Sequence, residues 1–487
     1  MAEDSSARAH TSARIACSDV SDIAGALCSL IAVVLLSSCS SILSRPQPDV
    51  LRELPVPKAF SQPLEEGIEP PDAWWESFDD EALNDLIARA LEGSPSLRQA
   101  LSRMEIADAS RRRSAAALWP SLDGSIGAGR QRQRFDLDDQ TFVFTQSSFD
   151  LNLAASYEVD LWGRAAALAG AGELWWRASK SDLVAAAISL TAAVAQAWYD
   201  LVAARANLSL LDRQLGASAL YLELLELRFE EGVATSADVR RQRLQMEQMT
   251  AQRALIEGRV EIAGHSLQAI LGGPVGPEGP SLPKGASFPE LPSTPDVGLP
   301  ADLLERRPDI LAARHRLEAA DQQLAAALAA RLPSIRLFAD GGLRATSLAQ
   351  LFETPLWNLM ASLAVPLFRG GELAAAADEQ EASRDEAAWL YVEVLVEALG
   401  EVESALVAEA SQWSHELRLR KAHESSVALQ GELTERFVEG LIDFFQVLAV
   451  IETRQSIEQL LLESKRELIS SRIRLHRALA GGWVEAG

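Results

Sequence analysis

Cysteine is scarce in this chain of 487 residues, and Cys17, Cys28 and Cys39 are all of it. A disulfide-stapled scaffold is excluded, because no thiol lies beyond position 39. Positive charge is also short: 45 Lys+Arg stand against 69 Asp+Glu, a formal −24. That balance argues against a nucleic-acid ligand, whose phosphates need a positive surface. Aromatics make up 6% of the residues, little for a sandwich core, while Ala and Leu dominate, as suits long helices. The six histidines form no HExxH pair, and GxSxG and Walker patterns are missing. His415 and His423 can share a helix face, but they read as solvated surface residues. No catalytic, cofactor-binding or metal-ligating set is expected, and the chain does not read as an enzyme. Proline is absent from 121–273 and from 367–487.

What is present begins at the N-terminus. Residues 27–36, LCSLIAVVLL, form an apolar run of about ten, too short to span a bilayer but right for a signal-peptide core. Leu36-Ser37-Ser38-Cys39 follows and resembles a bacterial lipobox, in which the cysteine is acylated and becomes the first mature residue. Cleavage before Cys39 leaves a single thiol, which the lipid consumes. Ser40 rather than Asp follows it, which in such lipoproteins implies the outer membrane. The preceding region is long and carries Asp19 and Asp22, compatible with a start downstream of Met1.

The chain also writes itself twice. PSLRQALSRMEIAD at 95–108 aligns without gaps with PDILAARHRLEAAD at 308–321, and Pro120-Ser121 aligns with Pro333-Ser334 at the same offset. RFEEGV at 228–233 returns as RFVEGL at 436–441, with a few residues of drift that loops can absorb. Two copies of one unit are therefore expected, joined by GGPVGPEGPSLPKGASFPELPSTP at 272–295. Each unit reads as a helix (about 80–117 and 301–331), two strands, and a long helical hairpin. Phe149, Leu151, Leu153, Ala155, Tyr157 and Val159 alternate with polar residues, and Leu359, Ala361, Leu363, Val365 and Leu367 are their counterparts. About ten alternating residues suit a tilted strand crossing a bilayer. Residues 165–231, if continuous, reach roughly 100 Å at ~1.5 Å per residue and need neighbours throughout, as in coiled coils. Gly232 and Gly440 then stop the outgoing helices, and Thr235, Ser236 and Asp443 cap the returning ones.

The lipobox, WWESFDDEALNDLIARALEGSPSL, YEVDLWGR, LLERRPDILAARHRLEAAD, the two EG tips and the terminal LAGGW together resemble the TolC-like outer membrane factor family, in its NodT-type lipoprotein branch. The resemblance runs from Cys39 to Trp483. It implies a mixed α/β membrane protein with four strands per protomer in a twelve-stranded barrel shared by a homotrimer, and long helices forming a periplasmic α-barrel. The corresponding division is 1–38 signal peptide, 39–78 lipidated and equatorial segment, 79–273 first repeat, 274–300 connector and 301–487 second repeat. The implied function is a passive exit duct in the outer membrane for an inner-membrane RND-type pump, joined by a periplasmic adaptor. A peptide or protein secretion duct is the alternative, and a poreless coiled-coil lipoprotein a further one that the strand pattern disfavours.

Carried over by position, adaptor contact falls on Gly232, Val233, Gly440 and Leu441. The pore gate falls on Asp238, Phe437, Phe444, Phe445 and Gln446. Phe437 stands where family members often have a tyrosine, Ala449 replaces an aspartate, and Gln446 stands where some members have another. An apolar constriction is therefore expected instead of a carboxylate ring, with either Phe444 or Phe445 facing the pore.

Overall fold

A computed structural model describes residue 48 and residues 56–57, 59–60, 73–137, 140–284, 287–291, 294–295, 300, 303–353 and 355–480. Cys39 and Trp483 lie outside the described residues. In chain order the elements are a 3-10 turn (Trp74–Phe78), α1 (Glu81–Gly93), α2 (Pro95–Ala115), β1 (Ser121–Leu137), β2 (Gln140–Val159), α3 (Arg164–Glu230) and α4 (Ser236–Ile270). The second half continues with α5 (Leu303–Arg306), α6 (Pro308–Ala329), β3 (Ser334–Ala345), β4 (Pro355–Ala364), α7 (Glu372–Val438) and α8 (Phe444–Ala478). The halves match element for element. Both outgoing helices have 67 residues, and both returning helices have 35.

Three expectations need correction. Each single helix expected before the strands is two, α1 and α2 in the first half and α5 and α6 in the second. The break is at Ser94, held extended at φ −65°, ψ 126° because the ring of Pro95 bars the helical conformation from the residue before it. Pro95 and Pro308 then open the next helix, where a missing N–H costs nothing. Val365 and Leu367 are not strand residues, since β4 ends at Ala364 before Pro366, which has no N–H to donate. The drift in the repeat is not taken up by loops alone, because the strands of the second hairpin are shorter and its loops longer. β1 and β2 have 17 and 20 residues, whereas β3 and β4 have 12 and 10.

The chain divides into two compact units. The first (Met1–Glu53, Ala107–Trp176 and His315–Trp389) contains the sheet. Its strands run β1-β2-β3-β4, all antiparallel. The register stacks like with like. Ile126 pairs Leu151, which pairs Leu343; Tyr157 pairs Leu337, which pairs Ala361. One face is thus apolar across all four strands, with Leu122, Ile126, Leu153, Leu337, Trp357, Leu359 and Leu363 exposed to solvent. The opposite face carries Asp123, Asp150, Asn152, Glu158, Arg336, Asp340, Arg344 and Asn358. Burying an apolar face is the main drive of folding, yet this one is uncovered.

The second unit (Leu54–Ile106, Arg177–Arg314 and Leu390–Gly487) is helical. Its largest core gathers Trp74, Phe78, Leu83, Leu86, Ile87, Trp198, Tyr199, Leu267, Ile469 and Ile473. Asp80 ties it together. One carboxylate oxygen accepts from the N–H groups of Ala82 and Leu83 and caps α1, while the other accepts from Trp198 Nε1 at 2.8 Å and Tyr199 OH at 3.3 Å. Burial, with Asp80 beside it, pushes the Tyr199 phenol well above its usual range. Arg307 is buried and donates to Asp309, to Glu401 and to the carbonyl of Ala478, the last residue of α8, where a cation suits the helix dipole.

Candidate functional site

Two regions carry the features that the sequence singled out, one in each unit. In the sheet unit, YEVDLWGR makes the turn from β2 into α3. Glu158 binds Arg164 at 2.8 Å through one oxygen and Arg336 at 3.3 Å through the other, linking β2, α3 and β3. Asp160 accepts from the N–H groups of Ala165 and Ala166 at 2.9 and 2.8 Å and so closes the first turn of α3. Trp162 Nε1 donates to the carbonyl of Pro333 at 2.6 Å, and Gly163 takes the left-handed φ of +72° that the reversal needs. The motif is a joint between the sheet and the long helix. It holds no reactive group.

In the helical unit, the repeated RFxEG explains itself at the hairpin tips. Val233 N–H donates to Arg228 O at 2.8 Å and Gly232 N–H to Phe229 O at 3.0 Å. Leu441 to Arg436 and Gly440 to Phe437 repeat the pattern at 2.9 and 3.0 Å. These are the paired bonds of a Schellman stop, with glycine at φ +75° and +78° supplying the left-handed residue. The returning helices start differently. Thr235 and Asp238 form a reciprocal capping box on α4, in which Asp238 accepts from Thr235 N–H at 3.0 Å and from its hydroxyl at 2.6 Å. Asp443 occupies the cap position of α8 but makes no side-chain cap bond.

The tip residues separate into packed and exposed sets. Phe444, 5% exposed, joins Leu225, Val239, Val447, Leu448 and Ile451 in a small core. Phe437 packs on it, ring centres 5.4 Å apart, and carries the Arg228 guanidinium 4.2 Å over its own ring. Phe445 is 57% exposed, with the Arg241 guanidinium 4.8 Å from its ring centre, and Gln446 is exposed beside it. The Asp238 carboxylate is occupied by the capping box. Gly232, Val233, Gly440 and Leu441 are all exposed, so each tip presents an aliphatic side chain to solvent.

Between the tips and the main core, the helices enclose polar side chains. Gln214 donates to Glu458 at 2.8 Å, Gln242 to Ser218 O at 2.9 Å and Gln412 to Ser464 Oγ at 2.9 Å. Such bonds fix one register among the many that an Ala- and Leu-rich interface would allow. His423 lies 3.6 Å from Glu458, and His415 is exposed. Sequence reasoning missed Asp80, Arg307, His476 and the buried Arg472–Glu409 pair, whose partners are remote in the chain. Among the described residues no group of three or more His, Cys, Asp or Glu is placed to hold a metal ion.

The model of the outer membrane efflux protein family matches residues 86–273 and 299–481, one match for each half of the chain. The chain belongs to that family. Within it, the chain is 32% identical over 461 residues to the toluene efflux pump outer membrane protein TtgF of Pseudomonas putida, covering 92% of this chain and 95% of TtgF. It is 31% identical over 419 residues to the outer membrane protein OprJ of Pseudomonas aeruginosa, covering 84% and 86%. Among solved structures, the outer membrane protein VceC of Vibrio cholerae superposes with a TM-score of 0.79 at 27% identity, covering 85% of this chain and all of VceC. As in the rest of the outer membrane efflux protein family, transport is the setting for the sheet and the tips.

Proposed function

We propose that the chain is the outer membrane exit duct of a tripartite efflux system, passing small molecules delivered by an inner-membrane RND-type pump through a periplasmic adaptor. The observation that carries this is the sheet: an uncovered apolar face backed by a polar one, in an outer membrane efflux protein. A lipid-facing outside and a water-facing inside are what a membrane strand requires. One chain leaves the outer edges of β1 and β4 unpaired, which hydrocarbon does not tolerate. Three copies close twelve strands, so the working form is a homotrimer. A duct for a secreted peptide or protein is the other reading, and the likeness to TtgF supports the efflux one.

Within this reading the adaptor meets Gly232-Val233 and Gly440-Leu441. The N-terminal signal ends before Cys39, which carries the lipid into the outer membrane. Radioactive palmitate should label the wild type and not Cys39→Ala; equal labelling of both removes the anchor. The gate belongs to Phe445, because Phe444 and Phe437 are spent on tip packing and Asp238 on capping. A ring of three Phe445 side chains closes by dewetting. Planar bilayers should show that Phe445→Ala conducts more than wild type while Gln446→Ala changes little. A leak in Gln446→Ala but not in Phe445→Ala would reassign the gate, and no channels from any of the three proteins would reject the duct.

A further inference from the structure

The sheet contains one joint that is whole and the two halves of another. The whole one joins β2 to β3. Trp162, just past β2, is half-buried and donates to the carbonyl of Pro333, just before β3, at 2.6 Å. The repeat gives each side of this joint a counterpart. Trp119-Pro120 aligns with Leu332-Pro333, and Leu367-Phe368 aligns with Leu161-Trp162. These counterparts flank β1 and β4, the two outer strands, so neither has its mate within the chain. Exposure shows the difference. Leu332 is 6% exposed, whereas its counterpart Trp119 is 75% and Phe368 is 89% exposed.

Two complementary apolar halves at opposite edges of one sheet are what a head-to-tail ring leaves on each of its members. We infer that Phe368 of one protomer packs on Trp119-Pro120 of the next, and that β4 pairs with the neighbouring β1 in the register that β2 keeps with β3. Ala155↔Ala339 and Tyr157↔Leu337 then become Ala361 opposite Ile126 of the partner subunit and Leu363 opposite Gly124 of the partner subunit.

Two features of the sheet agree with this register. Ala361 lies on the apolar face with Leu337 and Tyr157, and Ile126 lies on that face with Leu151, so the outer surface continues across the boundary. A slip of one residue would set apolar side chains beside polar ones. The stagger agrees as well. Paired residues lead from Ile126 to Leu151, Leu343 and Pro355, and the proposed pairing leads on to Arg132 of the partner subunit, six residues further along β1. Repeated three times, that stagger tilts twelve strands by about 45°, the inclination of a membrane barrel. The joint between protomers holds by packing. Phenylalanine has no N–H to copy the Trp162 bond, and Ala364 and Asp123 stand where Glu158 and Arg336 make an ion pair. This inference rests on the homotrimeric duct reading.

The test uses the full chain and introduced cysteine pairs, since no native thiol lies beyond Cys39. Within one chain Ile126 and Ala361 are three strand spacings apart, about 14 Å, so a short bis-methanethiosulfonate linker joins them only between protomers. Ile126→Cys/Ala361→Cys and Trp119→Cys/Phe368→Cys should give covalent dimers and trimers on denaturing gels. Leu122→Cys/Ala361→Cys, four residues out of register, should stay monomeric. Phe368→Ala should lower the temperature at which the detergent-extracted trimer dissociates, and Phe368→Trp, which restores the residue of the intact joint, should not. Light scattering and bilayer conductance on the same preparations separate the two readings, because a monomer without channels removes the duct itself. A conducting trimer that lacks both expected links, or links Leu122→Cys/Ala361→Cys equally well, overturns the inference. So does a trimer whose dissociation Phe368→Ala leaves unchanged, the result expected if lipid alone covers that ring.

Discussion

His476 sits in surroundings that strongly alter its chemistry. It is buried and stacked on Trp74, ring centres 5.2 Å apart and 19° from parallel, with the edge of Phe78 6.3 Å away. Neither ring nitrogen finds a hydrogen-bond partner among the described residues. Burial, aided by the nearby Arg472 cation, lowers its pKa from 6.5 to about 3. The folded chain therefore keeps it neutral where the unfolded chain protonates it. Its stabilising effect is complete above about pH 6.5 and is lost as the pH falls towards 3, by up to about 1.4 kcal/mol per pH unit. Thermal unfolding followed by circular dichroism from pH 7 to 4 should show a flatter acid limb for His476→Phe than for wild type. Identical limbs would mean that the imidazole is hydrated. Nothing local announces this residue: the sequence shows a histidine near Arg472, and its aromatic bed comes from the far end of the chain. Gly232 and Gly440, by contrast, were legible, because a left-handed stop leaves a local signature.

At the scale of elements, period and punctuation told most of the story. Within the proline-free spans the outgoing helices are of equal length in both halves, since nothing interrupts their backbone ladder before Gly232 and Gly440. The split at Ser94 was missed because a proline at the start of a helix and one inside it look alike in a continuous helical pattern. The extra length of the first strand hairpin was hidden for another reason, as Arg, Gln and Ser at 130–147 break the apolar alternation while the backbone stays paired. The tips allow a direct test. Gly232→Pro or Gly440→Pro places a ring that fixes φ near −65° where +75° or +78° is required, and it removes one of the two stop bonds. Each change should spare assembly, since the main core lies elsewhere on the hairpins. Adaptor cross-linking and antibiotic resistance should both fall. Unchanged resistance in both variants would move the adaptor contact away from the tips.

For the whole molecule, the chain is unfinished alone. Its sheet has two open edges and an apolar face in water, with Ile126 at 86% and Trp357 at 82% exposure. In the proposed duct a membrane covers the face, and neighbouring protomers pair the edges. The alternation made the strands readable, but the proposed number of copies comes from the need to close a barrel. The mass of the detergent-extracted particle, by light scattering after size exclusion, tests this most directly. The account predicts a single species with three times the mass of the mature protomer, whereas a monodisperse monomer that still conducts in bilayers would contradict it.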